Sequence, residues 1–187
     1  MTETNKHSVS KPDAGQGRSY YRVVIDAPIH KVWAEITRTD SVLPFFFNSV
    51  CKTPGLAVGA PVRMVSKDGK YAAVVGDVLE FDPPFRYAHS FKFTSLDDPA
   101  CVVRYVLKEV DGGTEFTLIT EGVPAGSKSG KYMESGGHFI TANLKSFVET
   151  GKPTTGGRIA LFMMALSAPF TPARCRIENW PFDRKIG

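Results

Sequence analysis

The chain has 187 residues, a net charge of +4, and 42% hydrophobic and 22% charged residues. Those values fit one folded domain with a sizeable core and exclude a disordered or fibrous chain. Lys and Arg are scattered among acids rather than gathered in a basic stripe, which argues against nucleic acid as a partner.

Residues 1–18 are polar and lack periodicity, the composition of a disordered tail, and they contain no apolar run of the signal-peptide kind. The run Ser19 to Ile25 is aromatic and β-branched and reads as a strand that stops at Asp26-Ala27-Pro28. Pro28 suits the first turn of a helix capped by Asp26 or Ala27, and Ile29, Val32, Trp33 and Ile36 recur at helical spacing as one apolar stripe. Thr39-Asp40-Ser41 offers a further cap, after which Leu43 to Phe47 forms a short turn that drives Phe45, Phe46 and Phe47 inward.

From Ser49 to Glu121 the period becomes two, with turn signals at Pro54-Gly55, Asp68-Gly69, Pro83-Pro84, Asp97-Asp98-Pro99 and Asp111-Gly112-Gly113. The pattern predicts about six antiparallel strands joined by hairpins. Phe85, Tyr87, His89, Phe91 and Phe93 alternate with Arg86, Ala88, Ser90 and Lys92, so the first set faces the core, as do Val103, Tyr105, Leu107, Phe116 and Leu118. The strand Tyr71 to Phe81 is apolar on both faces and has no assignable inward side. A long helix follows from about Lys128 to Glu149, with Met133, Ile140, Leu144, Phe147 and Val148 on one stripe, Glu134, His138, Thr141 and Lys145 opposite, and Gly151 as its cap.

These segments resemble the START-like (SRPBCC) superfamily, and within it the proteins similar to the activator of the ninety-kDa heat-shock protein ATPase. The resemblance covers roughly Tyr20 to Lys152 and rests on Ala27-Pro28 before Val32-Trp33, Gly76 through Asp82-Pro83-Pro84, Gly113-Thr114 through Glu121-Gly122, and Asn143-Leu144-Lys145 through Glu149-Thr150-Gly151. It implies an α+β helix-grip domain over residues 19–152: a curved antiparallel sheet of about six to seven strands around a long C-terminal helix, with a cavity between them. Relatives commonly carry a Trp near the start of the long helix, where this chain reads Ser135-Gly136-Gly137-His138, a change that enlarges or reshapes the cavity. Residues 153–187 have no counterpart in the resemblance.

The cavity reading makes Trp33, Phe46, Tyr87, His89, Phe91, Tyr105, Phe116, Gly136, Gly137, Ile140, Asn143 and Leu144 the candidate ligand-binding residues. Gly136 and Gly137 each lower helix propensity by about 1 kcal/mol, which either close packing against the sheet or space for a ligand would offset. His89 is either a neutral core histidine bonded to a tyrosine or backbone carbonyl, or a group that orients a ligand. Asn143 either bonds a ligand or satisfies a backbone group.

Cys51, Cys101 and Cys175 are far apart and odd in number, so no disulfide or zinc framework is expected, and a reducing, cytoplasmic compartment is. No nucleotide-binding or hydrolase motif occurs, and neither a metal nor a cofactor is expected. The expected function is binding of a small apolar or aromatic molecule, and catalysis is left open. One alternative is a polyketide cyclase or aromatase-like enzyme using His89. Another is a co-chaperone of the ninety-kDa heat-shock protein, although such proteins use a further N-terminal domain for which this chain is too short. The apolar run Ile159 to Leu166 is expected on the outer face of the sheet, in the same subunit or exchanged in a homodimer, with Trp180 and Phe182 pinning the tail. Membrane attachment is the lesser reading, because the run lacks a Lys-rich face.

Overall fold

The computed structural model describes residues 17–39 and 41–186. Most of the expected tail, including His7, and the central residue of the cap at Thr39-Asp40-Ser41 lie outside the described residues.

The chain runs β1 (Arg18–Ile25), α1 (Ile29–Ile36), β2 (Val42–Leu43), a 3-10 turn over Pro44–Phe46, β3 (Ser49–Lys52), β4 (Pro61–Val65), β5 (Ala72–Asp82), β6 (Arg86–Phe93), β7 (Cys101–Val110), β8 (Gly113–Glu121), α2 (Lys128–Thr150) and α3 (Thr155–Ser167). The eight strands form one antiparallel sheet in the order β1-β8-β7-β6-β5-β4-β3-β2. The architecture is the expected α+β helix grip, with slightly more strands than the six to seven predicted. The long helix packs mainly against β1, β8 and the Pro44–Phe46 turn.

Helix α1 begins after Pro28, which itself occupies the cap position, and buries Ile29, Val32 and Ile36. Trp33 is half-buried and meets Phe81 at 5.5 Å between ring centroids. On β6, Tyr87, His89 and Phe91 are buried as predicted, whereas Phe85 falls in the turn before the strand and is 48% exposed. Alternation cannot extend into a turn, and this explains the difference. Ala88 and Ser90 are also buried, so the opposite face of the sheet is covered here.

The two-faced pattern of β5 has a geometric cause. Val74 and Val78 join the main core, while Val75 packs with Val65, Ala72 and Trp180 in a second cluster. The register against β6 then slips between Val78 and Glu80, and Phe81 returns to the core side. A bulge reverses the parity of every residue after it.

Helix α2 is capped by the Ser127 hydroxyl, which accepts from the Gly130 amide, and ends at Gly151 in a left-handed conformation (φ 74°). It buries Met133, Gly137, Ile140, Leu144 and Val148. Thr141, predicted on the solvated face, is buried too, with its hydroxyl donating to the Gly137 carbonyl at 2.9 Å.

The expectation that the apolar run covers the sheet within its own subunit is overturned. Helix α3 does not cover the outer face of the sheet: Ile159, Phe162, Met163 and Leu166 are each more than half exposed, and only Gly157 and Leu161 are buried. The tail beyond it provides that cover. Trp180 is buried against Val65, Ala72 and Val75, while Phe182 remains 45% exposed. Arg63 of β4, fully buried, fixes the tail by donating from Nε to the Trp180 carbonyl and from Nη2 to the carbonyls of Pro181 and Arg184. Beside it Asp77 Oδ2 accepts from the Ile186 amide at 2.8 Å. A buried guanidinium has five donors to satisfy, and backbone carbonyls of an irregular tail can satisfy them where an apolar helix cannot.

Candidate functional site

A cavity of about 380 Å³ lies between the inner face of the sheet and α2. Period-two alternation aims Phe91 and Phe93 of β6, Val103 and Tyr105 of β7, and Leu118 and Thr120 of β8 into it. Helix α2 supplies Tyr132, Met133, Ser135, Gly136, Gly137, Phe139 and Ile140, and the remaining wall comes from Phe46, Phe47, Ser49, Ala73, Val74 and Met164. No lining residue is charged.

The helical glycines act differently. At Gly137 a Cβ would lie 2.5 Å from the Tyr21 ring, so this residue lets α2 approach β1 closely. At Gly136 the nearest neighbour of a Cβ is Phe47 at 3.8 Å, ordinary contact distance, so this residue leaves room at the cavity wall. Close packing against the sheet thus accounts for Gly137, while Gly136 borders the cavity without a clash.

Aromatic pairs frame the cavity. Phe47 stacks on Phe139 at 4.5 Å with an interplanar angle of 11°, and Phe93 meets Tyr132 edge-on at 5.7 Å. Phe47 and Asn48 hold positive φ values of 54° and 56°, a conformation disfavoured for bulky residues, and the turn brings the Phe47 ring onto α2.

A second, smaller void of about 20 Å³ lies deeper, bordered by Cys51, Tyr87, His89, Phe116 and Leu144 and sharing Phe46, Tyr105 and Ile140 with the first. His89 is 3% exposed, and its Nδ1 lies 2.8 Å from the Ser90 carbonyl. Because that oxygen can only accept, the ring carries its proton on Nδ1. Burial pulls the His89 pKa down to about 4, against a smaller opposing effect of this hydrogen bond, so the ring is neutral at physiological pH. Burial likewise pushes the Cys51 thiol up to about 11 and raises the Tyr87 and Tyr105 hydroxyls. No side chain bordering either void is charged at neutral pH.

Of the residues singled out from sequence, Phe46, Phe91, Tyr105, Gly136, Gly137 and Ile140 come together around the larger cavity. Tyr87, His89, Phe116 and Leu144 border only the smaller one, and Trp33 and Asn143 border neither. Asn143 instead ties down the start of α3: its Oδ1 accepts from the amide and hydroxyl of Thr154, both at 3.0 Å, while Nδ2 donates to the Phe139 carbonyl. Among the lining residues that sequence reasoning did not single out for the site are Phe47, Ser49, Thr120 and Met164. Thr120 was within reach, since it shares the alternation of Phe116 and Leu118.

A family model described as "Activator of Hsp90 ATPase homolog 1-like protein" matches residues 26–149, more than half of the chain. Comparison with curated proteins returns no match. Among solved structures, DynU16 from the dynemicin biosynthetic locus superposes with a TM-score of 0.61 at 24% identity, over 74% of this chain and 49% of its own. The present chain thus spans about half the length of that protein. CalU16 from Micromonospora echinospora gives 0.56 at 22% identity, over 81% and 84% of the two chains. The Aha1 dimer from Colwellia psychrerythraea gives 0.58 at 15%, over 72% and 98%. At these identities the likeness establishes the fold.

Proposed function

The chain belongs to the activator of Hsp90 ATPase homolog 1-like family, and we propose that it binds one small apolar or aromatic molecule between the sheet and α2. The cavity of about 380 Å³ with uncharged, mostly apolar walls carries this reading. Its volume falls in the range of small-molecule sites, and transfer of an apolar molecule from water into such walls is favourable. An acid–base role for His89 has less support, because its Nδ1 is engaged by the Ser90 carbonyl and the ring lies outside the larger cavity. The three cysteines are free and buried, in keeping with a reducing, cytoplasmic setting.

Titration with N-phenyl-1-naphthylamine, whose emission rises in apolar surroundings, tests the reading. Saturable binding of one molecule per chain, weakened by Gly136→Trp, is expected. Emission that never saturates, or is the same in the variant, contradicts it.

A second reading concerns assembly and comes from α3. Its exposed apolar residues form a surface that water does not favour, and among the described residues no helix is long and apolar enough to cross a membrane. A second copy of the chain is the proposed cover, giving a homodimer through the extension; a structural relative is itself described as a dimer. Light scattering should give twice the chain mass for the full protein and the single mass for Phe162→Glu with Leu166→Glu. A monomer before substitution sinks this reading.

A further inference from the structure

The cavity is apolar except at a few hydroxyls, and two of these come from neighbouring positions of the sheet. Val103 pairs with Thr120 and Tyr105 with Leu118 across β7 and β8, so Tyr105 and Thr120 are diagonal neighbours on the inner face. Diagonal positions lie about 7–8 Å apart, within reach of one ligand group when a side chain is as long as tyrosine. Thr120 is 2% exposed and Tyr105 6%, and neither hydroxyl has a hydrogen-bond partner among the described residues. Neither oxygen is sealed in packed protein, and both residues border the cavity. A hydroxyl in an apolar surrounding without a partner is costly, and native structures rarely leave one so.

We propose that the ligand is neutral and carries a hydroxyl or carbonyl at its buried end, where Tyr105 and Thr120 hydrogen-bond to it. This rests on the binding reading above and narrows it. Neutrality follows from the walls: a carboxylate or ammonium group would leave water without meeting an opposite charge. The Tyr105 hydroxyl, raised by burial, stays protonated and able to donate, while Thr120 can donate or accept.

Displacement of N-phenyl-1-naphthylamine by naphthalene, 2-naphthol and 2-naphthoate separates the possibilities, since the three share a ring system and differ in the polar group. One well-placed hydrogen bond should favour 2-naphthol over naphthalene by about fivefold, and 2-naphthoate should bind at least about tenfold more weakly than naphthalene. Thr120→Val and Tyr105→Phe, which keep side-chain shape, should each reduce the ratio of 2-naphthol to naphthalene affinity. Equal binding of naphthalene and 2-naphthol, tighter binding of 2-naphthoate, or a preference unchanged in both variants overturns the inference and leaves the cavity reading standing. If none of the four compounds binds, the cavity reading falls and takes the inference with it.

Discussion

Two adjacent glycines in one helix, chemically identical, carry opposite consequences because a Cβ at one would collide with the Tyr21 ring and a Cβ at the other would meet Phe47 only at ordinary contact distance. Gly136→Ala should stabilise the fold by roughly 0.5–1 kcal/mol through helix propensity. Gly137→Ala should lower stability by about 1–3 kcal/mol, because the added methyl forces the buried Tyr21 ring aside. Urea denaturation of both variants checks the pair, and equal stabilities would refute the distinction. His89 offers a second test. Its folded-state pKa of about 4 lies below the ordinary value of 6.5, so the unfolded chain binds more protons between those limits. Stability is therefore full above about pH 6.5 and falls as pH drops toward 4, by roughly 3 kcal/mol in all. His89→Phe should flatten the melting profile in that window; a slope as steep as the parent's would show that another group titrates there. Strand alternation was enough to place His89 among Tyr87, Phe91 and Tyr105. For Asn143 the reading as a partner of backbone groups agrees with the structure, but the identity of that partner was not legible, because Thr154 lies beyond the helix end in a segment with no periodic signal.

Regular elements were readable wherever one face met the core and the other met water. Strand β5 failed that condition twice, through the bulge after Val78 and through the tail that buries Val75 from outside. The apolar run of α3 announced that something had to be covered, and the outer face of β5 announced the same, but a different segment supplied the cover. The signal for it was a single Arg63 in an otherwise apolar strand, Pro61–Val65, and a lone arginine in sequence reads equally well as a solvated residue. In the fold it donates to the carbonyls of Trp180, Pro181 and Arg184. Arg63→Met should cost about 2–4 kcal/mol, since three tail carbonyls lose their donor. Limited proteolysis should then cut within residues 171–186 far faster than in the parent. Deletion of those residues should lower the melting temperature and solubility; a deletion as stable as the full chain would mean that the tail covers nothing.

Across the whole molecule, a curved sheet, a long helix and a tail on the far side leave one large uncharged space in the interior. The sheet-helix cavity was implied by resemblance, and its aromatic floor by alternation. The wall contributed by Phe47 and Met164 was not, because Phe47 reaches α2 only through two consecutive residues of positive φ, and Met164 arrives from a helix outside the resemblance. Native mass spectrometry of the full chain offered 2-naphthol tests the central claim most directly. The account predicts a complex of one 2-naphthol per chain that Gly136→Trp abolishes while the variant keeps the parent's charge-state distribution. Absence of a one-to-one complex in the parent, or equal loading of the folded variant, would contradict it.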